Sequence, residues 1–482
     1  MRSEERSALH HRTCVSSAIE PAIFLPGALR LARSSTFLAA AWLAALVGCK
    51  ASSPQPPASE APVGAASPAA PAGAAAPTAR PAAVENTGAD CPVGTLPTYD
   101  ELPVLESLPD PFLSLDHSRI TRRDQWRCRR AEIGALVQEY ELGPKPPKPS
   151  QLSGSVANDV LSVTAGDGAR SITFDATIQY PKTGTAPYPA MIALGRFSLD
   201  SALFEKLGVA VISFPNSELG QQTNGESRGL GKFYDLYGKD HPAGAMMAWA
   251  WGVSRLIDVL GTTPSANIDA TRLGVTGCSR NGKGALVVGA FDERIALTIP
   301  QEAGAGGTSL WRVADTHHAA WLAAGSPPNQ DVQTLGQITG ENVWFTPGFK
   351  RFNQSATKLP FDHHMVMGLV APRALFVVGN TGMYWLDREG SFAAASVAHS
   401  IWEALGVPDA MGGSQVGGHD HCRDVPAVQL AELGAYIQKF LVGGGTADTN
   451  VLYTDGGFTV DRARWVGWET PKLEPAAASA GG

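Results

Sequence analysis

From about residue 90 the chain alternates between short apolar runs and longer stretches of helical period. "YPAMIALG" (188–195) and "GVAVISFP" (208–215) are continuous apolar runs, the pattern of strands buried on both faces. "RLGVTG" (272–277), "ALTIPQE" (296–302) and "RALFVVGN" (373–380) read the same way. "SITFDATIQYP" (171–181) instead alternates apolar and polar positions, as a half-buried antiparallel strand does. "QWRCRRAEIGALVQEYELG" (125–143) has helical period and stops at Gly143, just ahead of prolines. "GAMMAWAWGVSRLIDVLG" (244–261) and "AVQLAELGAYIQKFL" (427–441) are two more helices. Strands alternating with helices predict an α/β fold, a three-layer sandwich around a mostly parallel central sheet.

The ends of the chain break this pattern. "STFLAAAWLAALVGCK" follows Arg30 and Arg33 and reads as an export signal, too short to be a span. Its end, Leu46-Val47-Gly48-Cys49, resembles a bacterial lipobox, which implies cleavage before Cys49 and lipidation of that thiol; a plain secretory signal is the alternative. Residues 51–85 are rich in Ala and Pro, a composition that spaces rather than packs. Lys50 after the cysteine leans toward an outer-membrane anchor. The expected organisation is a signal peptide over 1–48, a linker over 49–88, one catalytic domain over 89–473 and a disordered tail over 474–482.

Composition narrows the partners. Net charge is −7 and no basic tract occurs, so nucleic acid is excluded. No apolar run in the body reaches membrane-spanning length, which leaves a lipid anchor as the membrane contact. Of six cysteines, Cys14 and Cys49 fall in the leader. Cys91, Cys128, Cys278 and Cys422 remain, an even number in an exported chain. Three pairings are possible. Cys91–Cys128, pinning the N-terminal arm, and Cys278–Cys422 are the favoured two. A zinc site is the rival, but no two of these cysteines have ligand spacing. No metal or cofactor is expected, and the chain is read as a monomer.

The stretch "GVTGCSRNGKGALVVGAF" (274–291) runs from a strand through a serine flanked by glycines into a helix. This resembles the nucleophile elbow of an α/β-hydrolase, G-x-S-x-G, with the second glycine one residue late at Gly282. A serine hydroxyl needs a base, and "GGHDHCRDVP" (417–426) offers His421 and His419. A Cys278–Cys422 bridge would bring Ser279 and His421 together, which favours His421. Glu302 follows a buried strand and is the candidate acid; Asp362, Asp387 and Glu389 are alternatives. "DHH" (362–364) could suggest metal, but adjacent residues chelate one ion poorly, so it is read as structural.

Together "GCSRNGKGA", "IPQEAGAGG…WR" and the H-x-HC of 419–422 resemble the glucuronoyl esterases, carbohydrate esterase family 15. "GKFYDLYG", "VQTLGQITGENVWF" and "LPFDHHM" extend the resemblance over roughly residues 95–472. It implies hydrolysis of esters between (4-O-methyl-)glucuronic acid of glucuronoxylan and lignin alcohols. It further implies Ser279 as nucleophile, His421 as base, Glu302 as acid and Arg280 at the oxyanion. Lys283, Gln333, Glu341 and Trp385 match positions that contact the sugar, and the Cys278–Cys422 bridge is also the family's. Some members carry the acid just before the tryptophan matching Trp385; Met383 and Tyr384 stand there in this chain, so Glu302 is expected to act alone. Ala303 replaces a common serine, and "GTSLWR" lacks a common cysteine. An acetyl-xylan or general carboxylesterase on the same triad is the alternative activity, and a carbohydrate-binding module with a relic elbow the non-enzymatic one.

Overall fold

The computed structural model describes residues 81–476. The expected signal peptide, Cys49, the linker up to residue 80 and the tail beyond residue 476 lie outside these described residues. Ten strands are present: β1 (Gln151–Ala157), β2 (Val160–Asp167), β3 (Arg170–Gln179), β4 (Tyr188–Leu194), β5 (Ala210–Phe214), β6 (Ile268–Cys278), β7 (Ile295–Gln301), β8 (Ala374–Gly379), β9 (Met411–Gln415) and β10 (Leu452–Thr454). They form one sheet in the order β1-β2-β3-β5-β4-β6-β7-β8-β9-β10. The neighbours from β5 through β10 pair in parallel, while β1, β2, β3 and β5 pair antiparallel. The fold is that of an α/β-hydrolase.

The apolar runs explain the layering. In β4, Ala190, Ile192 and Leu194 join one core cluster, and the intervening Met191 and Ala193 join a second. Successive side chains of a strand point to opposite faces, so each cluster is one side of the sheet. Helices Trp126–Val137, Ala245–Leu260, Arg280–Phe291 and Arg388–Leu405 bury their apolar residues in the first. Helices Ser201–Leu207 and Ala427–Tyr436 close the second through Phe204, Leu433 and Tyr436. β3, which buries every second residue, has one face outside the core, as its alternation predicts.

One helix lies unusually close to the sheet. A Cβ added at Gly289 would sit 2.1 Å from Thr298 Oγ1 of β7, and one at Gly284 would sit 2.6 Å from the Trp249 ring. The helix Arg280–Phe291 is therefore seated directly on its neighbours, and its first turn has little room to shift.

Two expected boundaries are corrected. The linker does not run to residue 88, because the segment from Ala82 is anchored to the body. Ala82 N–H donates to Glu293 O at 2.8 Å, and Thr87 bonds the Glu293 carboxylate through N and Oγ1, both at 2.8 Å. Glu85 pairs with Lys145 at 2.6 Å and with the fully buried Arg255. Ala and Pro composition hid this because ion pairs, rather than apolar burial, hold the segment. The tail does not begin at 474 either: the Glu474 backbone pairs with the strand-like segment at Thr121–Arg123.

Glu85 is the most consequential of these anchors. Burial pushes its carboxyl up, but Lys145 and Arg255 outweigh burial and hold it below the ordinary glutamate value. Replacing Glu85 by alanine takes a carboxylate from two buried cations, leaving Arg255 with Asp258 at 2.9 Å and Lys145 with Ser254 and the Phe291 carbonyl, at a cost of about 3 kcal/mol. Because the folded pKa is depressed, that contribution is complete above the unfolded value of about 4 and fades as pH falls through the folded one. Thermal unfolding of Glu85→Ala should show a large deficit at neutral pH that narrows in acid; a deficit unchanged by pH would contradict this account.

Candidate active site

Ser279 joins the end of β6 to the helix Arg280–Phe291 with φ 58° and ψ −126°, a positive-φ conformation uncommon for a residue with a side chain. A serine at a helix N-cap ordinarily accepts a bond from the first turn. Ser279 makes no such bond, so its hydroxyl is not consumed by the helix it opens. The glycines around it are sterically required. A Cβ at Gly277 would lie 2.4 Å from Asn281 O, and one at Gly282 would lie 2.6 Å from Gln301 O. The late second glycine thus marks where the helix crosses the end of β7. As the first helical residue, Arg280 has a backbone N–H without an intrahelical acceptor, and the positive end of the helix dipole lies there.

The neighbouring strand end carries Glu302, the candidate acid. Ser279 N–H donates to Gln301 O at 2.9 Å, and Glu302 N–H donates to Val378 O at 2.7 Å. Glu302, 2 % exposed and at φ 44°, turns its carboxylate toward the loop after β9. There its Oε2 lies 2.7 Å from His421 Nδ1, and the Cys422 N–H donates to its two oxygens at 3.2 and 3.3 Å. A carboxylate on Nδ1 fixes the tautomer that leaves Nε2 as the basic nitrogen. Cys278 and Cys422 form a disulfide across 144 residues with a Cα–Cα distance of 5.8 Å. It ties the residue before Ser279 to the residue after His421, and the cystine sulfurs and a His421 ring nitrogen lie within 4.8 Å of one another. Since the two sulfurs are bonded to each other, neither is a thiolate able to hold a metal. Cys91 and Cys128 form the second disulfide.

The competing candidates lie elsewhere. The His419 ring contacts its own loop, Nδ1 at 2.8 Å from Arg423 O and Nε2 at 3.0 Å from Val416 O. Asp362 caps the helix His363–Gly368 and pairs with Arg312 at 3.0 Å. His363 bonds Glu141 at 3.1 Å and His364 bonds Pro109 O at 2.9 Å, which makes the DHH stretch structural. Asp387 caps the helix Arg388–Leu405 and binds His317 at 2.7 Å and Ser309 at 2.5 Å. Glu389 approaches the same His317 at 4.0 Å.

The expected sugar-side residues converge on the same opening. Arg280 lies 3.5 Å from Glu341 and over the Trp344 ring at 5.3 Å. Gln333 Nε2 is 3.4 Å from Glu341, and its backbone N–H donates to Trp385 O at 2.9 Å. The Trp385 ring meets the His421 ring at 5.8 Å, edge to face. Lys283 is buried, 3 % exposed, with Nζ donating to Ala303 O and, at 2.6 Å, to Ala305 O. One of its three donors remains. Burial, and secondarily Arg280, pull the Lys283 ammonium down to about 7 against the opposing pull of Glu341.

Sequence reading missed the polar wall behind Arg280. Asn281 Oδ1 accepts from Asn216 Nδ2 at 3.0 Å and Gln222 Nε2 at 3.2 Å, and Gln222 Oε1 accepts from Trp344 Nε1 at 2.9 Å. Asn281 stands inside the elbow motif and was the available signal; Asn216 and Gln222 carry none. A surface groove of about 1440 Å³ between the 95–119 arm and residues 467–472 shares no residue with this site.

Residues 163–406 match the family described as glucuronyl esterase, fungi. The 4-O-methyl-glucuronoyl methylesterase of Hypocrea jecorina is 46 % identical over 386 residues, covering 80 % of each chain. The solved catalytic domain of a glucuronoyl esterase from Hypocrea jecorina superposes with a TM-score of 0.73 at 45 % identity, over 79 % of this chain and all of that one. A serine-to-alanine variant from Sporotrichum thermophile, solved with methyl 4-O-methyl-β-D-glucopyranuronate, gives 0.73 at 42 % identity, over 80 % of this chain and all of that one. The chain belongs to the glucuronoyl esterases of carbohydrate esterase family 15.

Proposed function

We propose that this chain is a serine esterase that hydrolyses esters of (4-O-methyl-)glucuronic acid, as in glucuronoxylan–lignin linkages, through an acyl-enzyme on Ser279. The observation that carries it is the 2.7 Å contact between His421 and the buried Glu302, beside a serine elbow. Ser279 attacks the uronate carbonyl while His421 takes its proton. His421 then protonates the departing alcohol, and water, activated by the same imidazole, releases the acid. Glu302 orients the imidazole and stabilises its cationic form. The Arg280 backbone N–H and guanidinium offer donors to the carbonyl oxygen, which gains a full charge only in the tetrahedral state. Lys283, Gln333, Glu341 and Trp385 supply the donors, acceptor and apolar wall that a uronate ring needs. The relatives' names and the uronate ester bound in the Sporotrichum protein support this substrate class.

We further propose that the chain is an exported monomer consisting of a catalytic domain on an Ala/Pro-rich tether, anchored at Cys49 to the outer membrane. Two disulfides favour an oxidising compartment. In a bacterial host fed radiolabelled palmitate, the label should follow the full chain and be lost in Cys49→Ser; equal labelling of both would refute the anchor.

Ser279→Ala should lower turnover of methyl glucuronate by about a millionfold and Glu302→Ala by about ten-thousandfold. Wild-type enzyme should prefer methyl glucuronate to methyl galacturonate and to an acetyl ester. A preference for the acetyl ester would favour the general carboxylesterase instead.

Lys283 introduces a pH dependence. Its ammonium is lost as pH rises through about 7, and with it the charge-assisted bond to a ring hydroxyl. KM should climb through that range, while Lys283→Met should show a KM raised about tenfold throughout. A wild-type KM flat from acid to alkaline pH would remove Lys283 from substrate recognition.

A further inference from the structure

The Arg280 guanidinium sits at the mouth of the site with 43 % of its side chain exposed, and its ion-pair partner Glu341 is 39 % exposed. A solvated pair at 3.5 Å holds geometry weakly. The firmer support is Trp344, whose face lies beneath the guanidinium at 5.3 Å and which is only 1 % exposed. The direction in which that ring presents its face depends on its one polar atom. Trp344 Nε1 donates to Gln222 Oε1 at 2.9 Å.

Gln222 is bonded at four points. Its Oε1 accepts from Trp344, its Nε2 donates to Asn281 Oδ1 at 3.2 Å and to Ser217 Oγ at 3.3 Å, and its backbone oxygen accepts from Asn342 Nδ2 at 2.8 Å. Asn281 follows Arg280 on the helix. Asn342 lies between Glu341 and the ring. One residue therefore couples the start of the Arg280 helix to the segment 341–344 that carries both groups touching the guanidinium.

We propose that Gln222 and Trp344 are positioning residues that hold the Arg280 guanidinium where the oxyanion of the acyl-transfer step forms. The inference rests on the esterase reading above. A donor displaced by about 1 Å loses much of its effect on a transition state, so loosening the ring removes Arg280's contribution without touching Arg280.

Gln222→Leu keeps the side chain's bulk and removes its hydrogen bonds. Trp344→Phe keeps an aromatic face and removes the indole N–H. With methyl glucuronate, each variant should lower kcat about tenfold while KM stays within about twofold. In an Arg280→Ala background, Gln222→Leu should cause no further loss; in the enzyme that keeps Arg280, Gln222→Glu, which restores an acceptor for the indole, should recover most of the kcat that Gln222→Leu loses. An equal additional loss in the Arg280→Ala background would overturn the proposal, since Gln222 would then act independently of Arg280. If Gln222→Leu does not fold by circular dichroism, Trp344→Phe carries the same cycle. No turnover by the unmodified chain would strike the esterase reading itself, a result distinct from additive losses in an active enzyme.

Discussion

The site is organised around a buried carboxylate. Glu302 is out of water, and an unpaired charge there would be costly. His421 Nδ1 and the Cys422 N–H meet that need, and both belong to a loop of half-buried and exposed residues. The attraction acts in both directions: the carboxylate is satisfied only when the loop is docked, and docking sets the imidazole. The Cys278–Cys422 bond removes the alternative in which the loop drifts away. Electrostatics and a covalent tie thus enforce one geometry.

This arrangement requires a rigid floor, which the sheet provides. Ser279 and Glu302 leave adjacent parallel strands at their C-terminal ends, the usual place for chemistry in such sheets. Their spacing is fixed by the pairing of β6 with β7 rather than by side-chain packing. Glycines at 282 and 289 bring the serine helix down onto β7, and Gly277 of β6 lets its first turn pass close. Most of the proposed sugar-side groups come instead from the connections beyond the strand ends: Gln333 just before the short helix Leu335–Glu341, Glu341 at that helix's end and Trp385 in the turn Tyr384–Leu386. Connections of this kind can vary while the strand ends that carry Ser279 and Glu302 stay in place.

How much of this was legible follows the same physics. Strands β4, β5, β7 and β8 announced themselves as unbroken apolar runs, because burial on both faces leaves no room for polar positions. β9, "MGGSQ", did not. Its buried glycines exist because neighbours crowd it: a Cβ at Gly412 would fall 2.4 Å from Tyr436 Oη, and such a strand has poor intrinsic propensity. β1 was invisible because most of its residues are exposed. The elbow, acid and base were readable from local context and family motif. The Glu85 anchor was not, since Arg255 lies 170 residues away. Nor was Lys283's burial: a lysine after a helix start reads as surface, and only the fold brings the Ala303 and Ala305 carbonyls to it.

The two cations beside the nucleophile are consequently unlike in what they can do. Lys283 has two donors committed to backbone carbonyls, so its remaining donor can serve one fixed partner. That suits a hydroxyl of a bound ring, present before and after the reaction alike. Arg280 presents a planar fork of five donors, of which one edge faces Glu341 while the flat face rests on Trp344. Donors remain for an oxygen whose charge is only transient. Because Lys283 and Glu341 act on each other, and Arg280 opposes that pull, the charge on Lys283 depends on where the guanidinium lies. If Trp344 positions Arg280 as proposed, it also sets the electrostatic surroundings of Lys283, and the proposed recognition and catalysis would share one mechanical support.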